Sequence, residues 1–431
     1  MAPLPLPIPG FRKSSIRQRR NLVSTSPDPV WNASDLSATS ADPAILDLAE
    51  VMVENALGVM PVPLGIAQGF LIDGVQRAIP LATEEPSVIA AASFAGSLIA
   101  RHGGITTSTA EPLMTGQIYL EPGNLPGPEV TQVLLQQREG VPVLLSSILQ
   151  PMAARGGGYR GLEAEWLEDL GMVRVHFHLD VRDAMGANLI NTCAEALRPW
   201  LEELSGGSVI MAILTNQALG RLTRARFSLP FSALKRGTFS GPQMAQRMVR
   251  GYDIARLDPA RAVTHNKGIM NGISSLALAT ANDTRGIEAA AHAYAARNGR
   301  YTSLTRYWIE EERLYGAIEV PLPFAVVGGG VGFHPAAQAA LKVLGHPSAT
   351  ELSAIAAALG LAQNYAALAA LTGEGIQSGH MRLHGGRLAY SAGARGDEIS
   401  RLQTLLSRDG TFNIPTARRL LEELRGEKEE S

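Results

Sequence analysis

Apolar and polar positions alternate strictly over residues 173–181, with Val173, Val175, Phe177, Leu179 and Val181 on one side and Arg174, His176, His178 and Asp180 on the other. A period of two is that of a strand with one buried face. The turn DAMGAN (183–188) leads from it into a helical apolar period running to about residue 204, and Gly206 and Gly207 introduce a second strand over 209–214. Elsewhere helical spacing dominates. It predicts helices over 43–57, from Pro86 to the stop at Gly103 and Gly104, and over 144–154, with strands near 78–83 and 162–167. After Leu219 come long Ala-rich helices, a Gly-spaced segment at 373–386 and a charged helical tail. Residues 1 to about 40, rich in Pro, Ser and Arg, read as an extended arm ordered by docking.

At 431 residues the chain exceeds what one core can fill, so two or three domains are expected. An apolar content of 45% against 18% charged residues excludes a disordered class. The net charge of -2 gives no broad attraction for nucleic acid or anionic lipid, so an anionic ligand has to be caught by local groups. Cys193 is the only cysteine, which rules out an internal disulfide and points to a cytoplasmic location. Prolines break the apolar run that a secretion signal would need. The apolar stretches 86–100 and 349–371 are too short or are interrupted by Glu351, Gln363 and Asn364; buried helices are expected, with no membrane partner.

GGGYRG (156–161) has the letters of a dinucleotide fingerprint, but a helix precedes it and a strand follows, the reverse of the required order. His380 and His384 stand four apart without a third ligand nearby, so no metal is expected. DAMGAN is the better nucleotide site, since helix N-terminal amides attract pyrophosphate and Gly186 permits close approach; the alternative is a plain turn capped by Asp183 or Asn188. Lys267, one of five lysines, lies in the uncharged segment THNKGIMNG (264–272) and reads as buried, with Asp283 the nearest carboxylate along the chain to keep it charged. Equally, Asp283 would cap the following helix and Lys267 would be a solvated loop residue. Glu84 and Glu85 point opposite ways in extended backbone, so at most one faces a site. His380 is either a titrating group on a loop or a plain polar residue.

ENALG (54–58), EEPSVIAAAS (84–93), DVRDAMGAN (180–188), THNKGIMNG, AHAYAAR (291–297) and GHMRLH (379–384) together resemble the bacterial (class II) hydroxymethylglutaryl-CoA reductases. The resemblance implies an α/β (α+β) fold that is not a Rossmann fold. A large helical domain (1–115 and 219–375) would carry an inserted, small ferredoxin-like dinucleotide-binding domain (116–218) and a mobile C-terminal flap (376–431). It implies four-electron, reversible reduction of hydroxymethylglutaryl-CoA to mevalonate and free CoA with NADH or NADPH, without a metal. A homodimer with shared active sites, or a higher oligomer, is implied too.

By motif, Lys267 would stabilise the growing oxyanion, Asp283 would keep it charged, Glu85 would protonate the aldehyde-level oxygen and His380 the departing thiolate. Ser87, Arg261 and Asn271 would position the hydroxymethylglutaryl part, with Arg12, Glu54 and Asn55 on the CoA side. Asp183, Met185, Gly186, Ala187, Asn188 and Asn216 would hold the dinucleotide. LLSSILQPMAAR (144–155) lacks the acid that NADH-preferring relatives carry, and Ser146, Ser147 and Arg155 leave room for a 2′-phosphate, so coenzyme preference stays open. GGGVGFHP (328–335) departs from the family in lacking a threonine. The rival readings are a redox-inactive CoA-thioester binding protein and a CoA lyase or hydratase. NAD(P)H consumption separates them.

Overall fold

A computed structural model describes residues 10–24, 42–373 and 377–429; the side chains of Arg12 and of residues 23–24, 377–384 and 427–429 lie outside the description. The N-terminal segment is not wholly extended. Ile16–Ser24 form helix α1, whose Ile16 packs on Ala49 of α2 (Pro43–Met52) and on Ala56. α2 ends five residues before the expected limit; shortly beyond it Asn55 is left-handed at φ 57°, a conformation that asparagine tolerates and a helix does not.

Strands β1 (Leu64–Ile72) and β2 (Val75–Ala82) pair as a hairpin, followed by α3 (Val88–Ala100). Pro86 lies in the turn before α3 and not in its first turn. β3 (Thr106–Thr109) then leads to β4 (Leu113–Glu121), α4 (Gly127–Gln137), α5 (Ser146–Ala153), β5 (Gly158–Leu167), β6 (Met172–Asp180), α6 (Ala187–Ser205) and β7 (Ser208–Leu214). These last four strands form one sheet in the order β5-β6-β4-β7, every neighbour antiparallel. Two helical crossovers on an antiparallel sheet give a ferredoxin-like βαββαβ unit, not a parallel dinucleotide-binding sheet. The alternating apolar residues of β6 enter its core with Met114, Ile118 and Leu120. Asp180 breaks the alternation. It is buried because the strand ends there and its carboxylate takes Arg160 at 2.7 Å and Arg182 at 3.4 Å.

The remaining elements are β8 (Leu222–Pro230), α7 (Gly241–Leu257), α8 (Pro259–Ala279), α9 (Thr284–Ala295), β9 (Thr305–Glu310), β10 (Arg313–Pro321), α10 (Pro335–Val343) and α11 (Ala349–Thr372). β3, β8, β10 and β9 make a second antiparallel sheet. α11 opens with a capping box, Ser348 with Glu351, and is apolar on every side because protein surrounds it; its most apolar stretch is 83% buried, as a core helix. It crosses α8 closely, and a methyl group at Gly360 would stand 2.7 Å from Ile273 Cδ1. One continuous core thus ties β2, α3, α8 and α11 together, and that packing fixes the active-site helix. The C-terminal helices α12 (Gln377–Ala392), α13 (Asp397–Asp409) and α14 (Ile414–Glu429) close on a separate small core around Leu402, Leu406 and Leu421.

Candidate active site

At about 100° per residue, Arg261, Thr264, Lys267 and Asn271 fall on one side of α8. Lys267 is neither buried nor in a loop. It projects from the middle of the helix, its side chain 60% exposed, and its Nζ donates to Glu85 Oε2 at 2.7 Å. Glu85 reaches it from the turn between β2 and α3, where its own amide donates to Thr83 Oγ1 at 3.2 Å. Packing of Leu81 and Val88 into the core shared with Ile269 and Ile273 brings this turn to α8. Ser87, beside it, is left-handed at φ 76° and stands at the N-cap of α3 without capping it through its side chain. Such strain in a non-glycine residue is typical of functional turns. Arg387 of α12 donates to the Glu84 carbonyl, so the C-terminal unit touches the same turn.

Within one chain Asp283 does not meet Lys267, which is held by Glu85. It is the N-cap of α9, accepting from Gly286 N at 3.0 Å. The preceding amide, Asn282 N, is bonded to Ala277 O, and Ala277 lies ten residues along α8 from Lys267, roughly 15 Å at 1.5 Å per residue. Beside Asp283 stands Asn216: a methyl group at Gly286 would meet Asp283 Oδ2 at 2.7 Å and Asn216 Oδ1 at 3.4 Å. The candidate residues therefore form two groups on one chain, Glu85 with Lys267 and Asp283 with Asn216.

Arg261 Nη1 is buried without a hydrogen-bond partner among the described residues, and desolvation lowers the guanidinium pKa. One turn on, His265 is buried, its Nε2 2.7 Å from Thr305 Oγ1 and 3.1 Å from Asn364 Nδ2. Burial, aided by the Arg261 charge, pulls its pKa down to about 3. Arg261 as a whole is only half-buried, so its other guanidinium donors remain available. Sequence reasoning missed His265 and Asn364; the one signal was a polar pair, Gln363 and Asn364, inside an apolar helix.

In DAMGAN neither expected cap operates. Gly186, at φ 86°, is the N-cap of α6 and leaves its first turn without a side-chain cap. A methyl group there would stand 2.5 Å from Val181 Cγ1, so glycine serves both conformation and close approach. The cap at Asp183 is made to a different helix: its carboxylate accepts from Ala349 N of α11 at 2.8 Å. Met185 packs against the small-domain core, and Ala187 and Asn188 open α6. A cavity of about 620 Å³ beside this turn is lined by Arg155, Arg182, Asp183 and Ser348.

Glu54 and Asn55 are exposed. Two arginines of α1 hold their loop: Arg19 Nη1 donates to Ala56 O at 2.6 Å and Arg20 Nη1 to Leu57 O at 3.0 Å. Arg12 falls in a short 3-10 turn and His380 in α12, but both side chains lie outside the described residues. Burial pushes the Cys193 thiol up to about 11, away from reactivity. No cluster of three metal-binding side chains occurs among the described residues.

Residues 15–385 match the hydroxymethylglutaryl-coenzyme A reductase family. The chain is 42% identical over 422 residues to a 3-hydroxy-3-methylglutaryl-coenzyme A reductase of Archaeoglobus fulgidus, covering 97% of this chain and 94% of that one. It is 33% identical to a probable enzyme of the same name from Borreliella burgdorferi over 88% of each chain. Among solved structures, the Streptococcus pneumoniae reductase superposes with a TM-score of 0.75 at 38% identity, covering 96% of this chain and 99% of that one. The class II S. pneumoniae enzyme bound to NADPH in open conformations gives 0.74, again at 38% identity, over 96% and 100%.

Proposed function

The chain belongs to the hydroxymethylglutaryl-coenzyme A reductase family, and from that premise we propose how its residues divide the work. The reaction is reduction of the CoA thioester to mevalonate and free CoA with two NAD(P)H. The observation that carries the residue assignment is the 2.7 Å contact of Lys267 Nζ with Glu85 Oε2.

Arg261, a desolvated guanidinium lacking its anion, would take the free carboxylate of the substrate, with Ser87 and Asn271 orienting the rest. The thioester oxygen would lie at Lys267, where a fixed ammonium offsets the negative charge that develops on it. As the C–S bond breaks and the carbonyl re-forms, His380 would give its proton to the CoA sulfur. At the aldehyde stage the proton held between Lys267 and Glu85 would pass to the oxygen, which leaves as the alcohol. The nicotinamide, when bound, supplies the hydride for each of the two steps. Gly186 and the uncapped amides of α6 suit its pyrophosphate, Arg155 and Arg182 suit a 2′-phosphate, and Asn216, beside Asp283, remains our further assignment to the coenzyme. Arg12, Glu54 and Asn55 remain our assignment for the CoA side.

An aspartate that holds Lys267 cannot come from the same chain if Asp283 is that residue, given the length of α8 between them. We therefore assign the pairing role to Asp283 of the partner subunit, in a homodimer whose site is completed by two copies. The domain limits implied by the family would place Glu85 and Lys267 in the large domain. A spectrophotometric assay with each coenzyme tests the reading: two NAD(P)H oxidised per CoA released is expected. Coenzyme-independent consumption of the thioester without release of free CoA would indicate a lyase, and no turnover a binding protein.

A further inference from the structure

The sheet β3-β8-β10-β9 and the ends of α7 and α9 enclose a groove of about 700 Å³ whose walls include neither Glu85 nor Lys267. Its walls carry Arg224, Arg226, Arg256, Arg297 and Arg306 against a single carboxylate, Glu319. In a chain of net charge -2, that is a strong local concentration of positive charge. Glu319 is taken by Arg224. Arg256 has only an exposed contact with Asp253 at 3.6 Å, which screens little.

Among the described residues the other three guanidinium groups are held in position without an ion pair within 4 Å, although Arg297 acts on Glu319 at longer range. Arg306 lies over the Trp308 ring at 5.3 Å, and that ring is stacked on Tyr315. Arg297 lies over Tyr294 at 3.8 Å and bonds its carbonyl. Arg226 spends only its Nε, on Thr106 Oγ1 at 3.2 Å. Stacking fixes a guanidinium without using its outward donors, so the entropic cost of binding is already met in part. The Ser108 hydroxyl lines the same space, whereas those of Thr302 and Ser303 donate to Arg256 O and Thr305 O. Planar forks around a groove of ligand size match phosphate oxygens, and the spread of charge over several strands fits more than one phosphate.

We propose that this groove is a second anion site, separate from the reductase site, for a small molecule carrying two or more linked phosphates. None of the groove residues is assigned to the reaction, so the two readings fail independently. The probe is inorganic pyrophosphate, titrated by calorimetry into the full-length protein at low salt. Binding is expected, stronger than that of inorganic phosphate, and R226A/R306A should weaken it by at least about tenfold, the effect of losing one or two charge-assisted hydrogen bonds. These arginines are exposed, so the variant should melt normally and keep its reductase turnover. No pyrophosphate binding, or unchanged affinity in the variant, would overturn the proposal. So would sedimentation showing that the variant dissociates the oligomer, since the groove would then be an interface.

Discussion

Lys267, in the middle of a 21-residue helix, and Glu85, which precedes it by 182 positions, meet at 2.7 Å in an ion pair that leaves the lysine side chain 60% exposed. A pair this open contributes at most about 1 kcal/mol to stability. Under the proposed assignment its value lies in fixing the position of the ammonium group.

Lys267→Ala should therefore separate function from folding. Thermal stability should change by no more than about 1 kcal/mol, because an exposed side chain and an open ion pair are removed. Reduction of both the thioester and free mevaldehyde should fall by about 100-fold or more, because each step loses its oxyanion partner. A folded variant with ordinary turnover in the coenzyme assay would refute the assignment.

The two-group arrangement predicts complementation. Asp283→Ala should cost about 1 kcal/mol as a lost N-cap and also abolish turnover. Co-expressed with Lys267→Ala, it should restore activity to roughly a quarter of the sites, since random pairing leaves one intact composite site in each mixed dimer. If both residues acted within one chain, mixing would restore nothing.

His380→Gln should depress thioester reduction far more than mevaldehyde reduction, because only the first releases a thiolate that needs a proton. Equal losses in the two assays would remove His380 from that role.

Gly186→Ala should destabilise the protein by about 2 kcal/mol or more, combining a left-handed backbone with a 2.5 Å overlap on Val181. Coenzyme KM should rise as the α6 amides shift. Denaturant melts and coenzyme titration read the two effects, and a neutral substitution would show that the turn is not under this constraint.

His265 predicts acid sensitivity. Burial, with the nearby Arg261 charge, holds its pKa at about 3 against an ordinary 6.5. Between those values the unfolded chain binds a proton that the native chain refuses. Stability should thus fall as pH drops from about 6.5 toward 3, and this group should contribute no slope above that window. His265→Gln should flatten the dependence of melting temperature on pH over that range; an unchanged slope would contradict it.

What the sequence alone determined is local or motif-borne. The period of two in β6, the all-round apolarity of 349–371 and the strand-turn-helix at DAMGAN were readable because they reflect neighbours within a few residues. The family blocks gave the reaction. The tertiary structure alone decided which groups meet: Glu85 with Lys267, Asp183 with the start of α11, Arg19 with Ala56, and five arginines around one groove. Asp283 illustrates the difference, since proximity along the chain named it as the partner of Lys267 while α8, as a rigid rod, carries the two apart. Side-chain encounters across 100 or more positions follow from how helices and sheets bury their apolar faces, and the order of polar letters along a chain does not encode that packing.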